Sequence, residues 1–345
     1  MPVAAIAYAL ISAALFGAST PFAKLLLGEL PPLALAGLLY LGSGLGLLAW
    51  IALRPAAQRA VLGRSEWPWL GAAIVTGGVI APALLMFGLV RTDGATASLL
   101  LNLEAALTAA IAWIAFRENV DRRILIGMLA IVAGGAVLSW EQAPRAGGIA
   151  GPLLVAGACL GWALDNNFTR RVSGGDAATI ACLKGLIAGA ANLALALAQG
   201  AVLPRAGAIA AAALVGFLGY GISLALFIVA LRHLGTARTA AYLSVAPFFG
   251  AAVALAVLGE QATALFWVAA TLMALGVWFH VTERHEHRHL HAPLEHAHVH
   301  VHDEHHQHEH EIAWEGGEPH SHLHRHSRLV HSHPHYPDLH HRHGH

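Results

Sequence analysis

Charge is scarce in this chain: Asp, Glu, Lys and Arg make up 12% of 345 residues, against 57% hydrophobic. A soluble globule of this size needs far more polar surface, so lipid must solvate most of the chain. Cysteine is nearly missing. Cys159 and Cys182 both lie in apolar stretches, with neither metal-type nor disulfide-type spacing, and read as small core hydrophobes. Before residue 280 the sole histidine is His233, so no imidazole falls in mid-membrane and no His-Glu-x-x-His occurs. An intramembrane enzyme needs a nucleophile with a base or a metal-bound water, and Gly17-Ala-Ser19 has no such partner, so no enzyme is predicted. The N-terminus lacks a basic region and a cleavage site, and its apolar run continues to Lys24, which predicts a retained first span. The formal net charge of zero sums two different environments and points to no nucleic acid.

Two regimes are present. Residues 1 to about 281 are Leu/Ala/Gly/Val runs, whereas Thr282 to His345 is polar. Because a helix rises 1.5 Å per residue and the hydrocarbon core is about 30 Å thick, a span takes roughly 20 residues. The spacing predicts ten spans, near 4–24, 32–53, 69–90, 95–116, 122–140, 150–169, 177–199, 208–230, 237–258 and 262–281. Period-2 alternation is absent from them, which argues against strands. Basic residues are retained on the cytoplasmic side. One set of alternate loops holds Arg54, Arg59, Arg64, Arg117, Arg122, Arg123, Arg170, Arg171, Arg232 and Arg238, and the other only Lys24, Arg91, Arg145 and Arg205. Both termini are therefore expected in the cytoplasm of a multi-pass inner-membrane protein.

The membrane part repeats internally. Phe16-Gly-Ala-Ser-Thr-Pro-Phe-Ala-Lys24 aligns with Trp162-Ala-Leu-Asp-Asn-Asn-Phe-Thr-Arg170 at an offset of 146 residues. The stretch from Arg91 through Gly94 to Phe116-Arg-Glu118 likewise resembles His233 through Gly235 to Leu258-Gly-Glu260. Two five-helix halves, 1–145 and 146–281, account for this, and because five is odd the second enters the membrane in the opposite sense. The predicted fold is an all-α membrane protein of about ten helices in two inverted repeats, with a disordered tail over 282–345.

On Phe16-Gly17 with Lys24, Trp162 with Asn166, and the helix-ending Arg117-Glu118 and Gly259-Glu260, the chain resembles the drug/metabolite transporter superfamily, specifically its EamA type. The resemblance spans roughly Ala4 to Val281 and implies gradient-coupled movement of small metabolites or drugs, often outward, through a cavity between the halves. Phe16 stands where Trp is usual and Ser19 where Asn is common, and the tail lies outside the family pattern.

Ionisable or polar groups inside a span are functional candidates by default. Glu104, with Asn102 beside it, lies in the fourth span, Asp165 with Asn166 in the sixth, and Lys184 in the seventh. Desolvation favours the neutral form of a carboxyl, so Glu104 is the expected proton-coupling residue. A structural pair, Glu104 with Lys184 or Asp165 with Arg170, is the alternative. Lys24 and Arg170 are expected to snorkel to headgroups, and Pro82 and Pro247 to bend their helices. The pairs Gly42/Gly46, Gly157/Gly161 and Gly185/Gly189 suit close packing within the chain or, alternatively, a homodimer.

The tail is the opposite case, since 24 of 25 histidines lie from His280 onward. It duplicates itself at an offset of 35 residues, Glu283–His310 against Glu318–His345. His285, His287, His289, His291, His296, His298 and His300 are matched by His320, His322, His324, His326, His331, His333 and His335. His305, His306, His308 and His310 are matched by His340, His341, His343 and His345, while His302 meets Pro337. Neutral imidazole binds Ni²⁺, Co²⁺, Zn²⁺ and Cu²⁺, so these histidines are the expected metal ligands, although no required cofactor is implied. The expected function is an inner-membrane secondary transporter, an exporter of small metabolites or drugs, with a metal-binding cytoplasmic tail. The alternative is a divalent-metal transporter using the tail as buffer or sensor. Its weakness is that the membrane part is nearly devoid of metal ligands.

Overall fold

The structure, a computed structural model, describes residues 2–53, 65–116, 122–142, 148–169, 172, 176–202, 205–234, 242–282, 286–291, 294–300, 320–326 and 329–334. Among them residues 2–282 form ten helical rods. α1 is Pro2–Leu26, α2 Pro32–Ala52 and α3 Trp67–Leu89. α4 comprises Gly94–Leu100 and Leu103–Phe116. α5 is Arg122–Gln142, α6 Ala150–Thr169 and α7 Ala177–Ala198. α8 runs Ala206–Gly216, Phe217–Ile222 and Ser223–Leu234, α9 is Ala246–Val257 and α10 Ala264–Val281. Helix is the form a lipid-solvated chain takes, because every backbone group then finds a partner within its own segment. Seven of the rods are long and apolar enough to cross a membrane, while α9 and α10 are shorter apolar helices. The perimeter is apolar too: Ile114, Leu129 and Trp278 are 75%, 61% and 64% exposed, the inverse of a soluble surface.

The halves interlock. α1 of the first packs on α8 and α9 of the second, and α6 of the second packs on α3 and α4 of the first. α2 meets α7 and α5 meets α10, so like helices pair across an inverted two-fold relation. Glycine permits the closest approaches. A Cβ on Gly44 would stand 2.9 Å from the Gly185 carbonyl carbon, and one on Gly17 would strike the Ala246 carbonyl. The glycines singled out in the sequence all face helices of the same chain: Gly42 meets Ala213, Gly46 Phe217, Gly157 Leu84, Gly161 Ala81, Gly185 Gly44 and Gly189 Leu41.

Three irregularities interrupt the rods, none of them foreseen by periodicity. α3 widens to a π-helix over Ile74–Ile80, and α8 does the same over Phe217–Ile222, at corresponding places in the two halves. π-segments loosen the i→i−4 ladder and free carbonyls for side chains. Pro82, just beyond the first, has no N–H for the Gly78 carbonyl, which accepts from Asn192 Nδ2 instead (3.2 Å). α4 breaks at Leu101–Asn102, where Asn102, Glu104 and Ala105 donate to carbonyls only three residues back. The Asn102 amide reinforces this by donating to Leu99 O (3.0 Å). Pro247, expected to bend a span, stands in the first turn of α9, where its missing N–H costs nothing.

Residues 284–345 form a separate unit. Among its described residues four short strands pair. β1 (Glu286–His291) runs antiparallel to β4 (Leu329–Pro334), and β2 (Leu294–His300) to β3 (His320–His326). His-x-His alternation has the period of a strand, and each ladder joins one copy of the duplication to the other. His287 stands opposite His333, His289 opposite His331, His296 opposite His324, His298 opposite His322 and His300 opposite His320. His285, His302, His305, His306, His308, His310, His335, His340, His341, His343 and His345 lie outside the described residues, as do Arg117, Glu118, Arg170 and Gly235.

Candidate functional site

Between the halves lies a cavity of about 390 Å³. Ser12 and Phe16 of α1, Tyr40 and Ser43 of α2, Glu104 of α4, Trp162, Asn166 and Thr169 of α6, Ala181 and Lys184 of α7, and Tyr220, Ser223 and Phe227 of α8 line it, with Leu243 before α9. From mid-span residues such as Phe16 and Tyr220 it reaches Thr169 and Ile180, where α6 ends and α7 begins.

The polar side of the cavity is organised by three consecutive residues of α6, of which Asn166 lines it, and a helix turns them about 100° apart so that each meets a different neighbour. Asp165 accepts Lys184 Nζ on both oxygens (2.5 and 2.6 Å), and Thr169 Oγ1 donates to its Oδ1 (2.8 Å). These charged side chains are only 17% (Lys184) and 8% (Asp165) exposed. The pair fits because Gly77, within the π-segment of α3, leaves room for the carboxylate that any Cβ would fill. Asn166 Nδ2 donates to Glu104 Oε1 (2.8 Å). Asn167 Nδ2 donates to Ala163 O (2.8 Å) and Thr108 O (3.3 Å).

Aromatic rings form the rest of the wall. Phe16 stands edge-on to Tyr220 at 5.7 Å between centroids, and Tyr40 lies tilted to Tyr220 at 5.8 Å. The carbonyl of Gly77, freed by the π-segment, accepts from both Tyr40 Oη and Trp162 Nε1 (2.9 Å each). Across the pseudo-two-fold, Gly219 of the α8 π-segment abuts Ser19 as Gly77 abuts Asp165.

The other end of the bundle is tied shut. Lys24 Nζ donates to Leu89 O (2.5 Å) and Thr92 O (2.7 Å), satisfying the end of α3. Glu260, in the turn after α9, accepts Gly94 N and Ala95 N at 2.7 Å each, capping α4 from the opposite half. Lys24 is thus a tie between helices, not the headgroup anchor its position suggests.

Of the residues predicted from sequence, Glu104, Asp165, Asn166 and Lys184 form two contacts, Asn166 with Glu104 and Lys184 with Asp165. The alternative pairing of Glu104 with Lys184 is not formed, since Asp165 takes the lysine. Asn102 lies apart, buried at the α4 break with Met273 Sδ 4.0 Å away. Tyr40, Tyr220, Ser12 and Ser223 were missed. A tyrosine in mid-span was the available signal for the first two. Among the described residues no three His, Cys, Asp or Glu side chains gather as a metal site.

Comparison with known proteins accords with this geometry. The model of the EamA-like transporter family matches residues 3–140 and again 149–282. An uncharacterized transporter of Methanothermobacter thermautotrophicus is 25% identical over 285 residues, 76% of this chain and 81% of that one. A probable 4-amino-4-deoxy-L-arabinose-phosphoundecaprenol flippase subunit ArnE of Pseudomonas paraeruginosa is 44% identical over 75 residues, 22% of this chain and 63% of the relative. A solved structure superposes at a TM-score of 0.58 with 19% identity, over 81% of this chain and 98% of that one, a likeness of fold. With the family model matched once in each half of an interlocked inverted repeat, the chain belongs to the EamA-like transporter family, multi-pass membrane transporters of small molecules.

Proposed function

We propose that the chain is a secondary transporter of the inner membrane that exports a small metabolite or drug, with Glu104 as its proton-coupling group. The observation that carries this is the placement of Glu104: a carboxylate on the cavity wall held by a neutral amide, while the neighbouring charges Asp165 and Lys184 neutralise each other. Such a group can exchange a proton for a solute without breaking an ion pair. The cavity reaches the end at which α6 terminates and α7 begins, and the opposite end is closed by Lys24 and Glu260. With basic loops on the cytoplasmic side, both termini are cytoplasmic and the cavity faces the cytoplasm, the state in which an exporter loads. Proteoliposomes exchanging a small-molecule extract under an imposed pH gradient test the reading by mass spectrometry. At least one solute should move with the native chain and not with Glu104→Gln. Undiminished gradient-driven movement in the variant would remove Glu104 from the mechanism.

For the tail we propose binding of Ni²⁺, Co²⁺, Zn²⁺ or Cu²⁺, accessory to transport. Its support is the duplication together with a strand register that sets five histidines opposite five others. The full chain should bind more than one Ni²⁺ at pH 7.5 by calorimetry, and lose it below about pH 6 as imidazoles protonate. A chain ending at Thr282 should bind none; equal binding by both would transfer the site to the membrane unit and favour metal as cargo.

A further inference from the structure

We infer that the transported solute is an organic monocation, an amine or quaternary ammonium on an apolar body. This rests on the cavity being the transport site, and it follows from an inventory of what the wall still has to offer. Most hydrogen-bond donors there are spent on the chain itself, the Ser43 hydroxyl being the exception and the Tyr220 hydroxyl having Ser19 as its partner. Tyr40 and Trp162 donate to Gly77 O, Ser12 to Ser223 O (2.7 Å), and Ser223 to Gly219 O (2.6 Å). The lining cation, Lys184, is held by both oxygens of Asp165. A phosphate or carboxylate entering the cavity would therefore meet, among the described lining residues, no uncommitted cation and few free donors, and would be poorly compensated for its lost hydration.

A cation meets the reverse. Glu104 is the lining carboxyl group, paired with no cation among the described residues, its Oε1 accepting from the Asn166 amide (2.8 Å). With their polar tips committed, Tyr40 and Trp162 offer the cavity ring surface, and Phe16 and Tyr220 extend that surface. Aromatic faces attract a desolvated cation and tolerate its apolar body equally well. A volume of about 390 Å³ suits a ligand of that size.

The test uses purified full-length protein in detergent and three probes of one shape: benzyltrimethylammonium, 2,2-dimethyl-3-phenylpropan-1-ol and 2,2-dimethyl-3-phenylpropanoate. Calorimetry should show the cation binding at least tenfold more tightly than the alcohol, and the carboxylate weakest. Glu104→Gln should cut the cation-to-alcohol ratio severalfold, to the smaller preference that the rings alone supply. Tyr220→Leu, which leaves every charge in place, should lower cation affinity severalfold and spare the alcohol. Binding that Trp162→Ala abolishes but that favours the alcohol or the carboxylate would overturn the cationic class and leave the cavity standing. Binding of no probe, or binding indifferent to Trp162→Ala, would overturn the cavity reading and this inference together.

Discussion

The two halves of the membrane unit share a scaffold and differ in chemistry. Both carry a π-segment in their third helix, both give up their first helix to the other half, and both place a glycine of the π-segment against the polar position of the repeated motif. That position is Ser19 in one half and Asp165 in the other. Asp165 recruits Lys184, whereas Ser19 donates to its own helix at Phe16 O (2.6 Å) and meets no charge, its other partner being the Tyr220 hydroxyl. Glu104, in turn, corresponds to the apolar stretch near Ala246. Duplication thus supplies two interlocked helix bundles, and divergence puts the charges described at the cavity, Glu104, Asp165 and Lys184, on α4, α6 and α7.

The largest effect that would break this comparison is at Glu104: gradient-driven flux should fall by about a hundredfold or more in Glu104→Gln, since one group is asked to carry the coupling. Next is the ion pair. Asp165→Asn or Lys184→Met alone leaves a buried charge without its partner and should cost about 3 kcal/mol. Thermal denaturation in detergent should register it, and the double variant should recover most of the loss. The glycines sharpen the contrast between halves. Gly77→Ala forces a Cβ into the Asp165 carboxylate and Gly219→Ala forces one to 2.6 Å from Ser19 Cβ, each costing about 1–3 kcal/mol. Ser19→Gly should rescue Gly219→Ala, whereas Gly77→Ala should be rescued only by changes that also dissolve the Lys184 pair. The smallest effect is at the closed end, where Glu260→Ala removes the cap on α4 for about 1–2 kcal/mol. Its signature should be faster thiol labelling of Thr92→Cys; unchanged labelling would mean that the cap is structural only.

Much of this was legible in the sequence because a membrane span announces itself by length alone. Span edges agree with the helices to within a few residues except at the ninth, expected from 237 where α9 begins only at Ala246, and Glu104, Asp165, Asn166 and Lys184 stand out because charge in lipid is costly. Other features left no periodic trace. The π-segments in α3 and α8 and the break in α4 alter backbone hydrogen bonding without altering hydropathy, so the reason Gly77 and Asn102 sit where they do appears only in three dimensions. The pairing choice was equally hidden, since Lys184 could have met Glu104 or Asp165, and helix phase decided it. Lys24 misled because a lysine at a span end reads as an anchor until the free carbonyls of Leu89 and Thr92 are seen beside it.

The central claim, that the cavity between the halves is the path of transport, is tested most directly by plugging it. Ala181, on the cavity wall, is replaced by cysteine in a chain carrying Cys159→Ala and Cys182→Ala, and gradient-driven flux is measured before and after reaction with a bulky methanethiosulfonate. The account predicts flux that disappears on modification and returns with dithiothreitol. Full flux through stoichiometrically modified protein would contradict it.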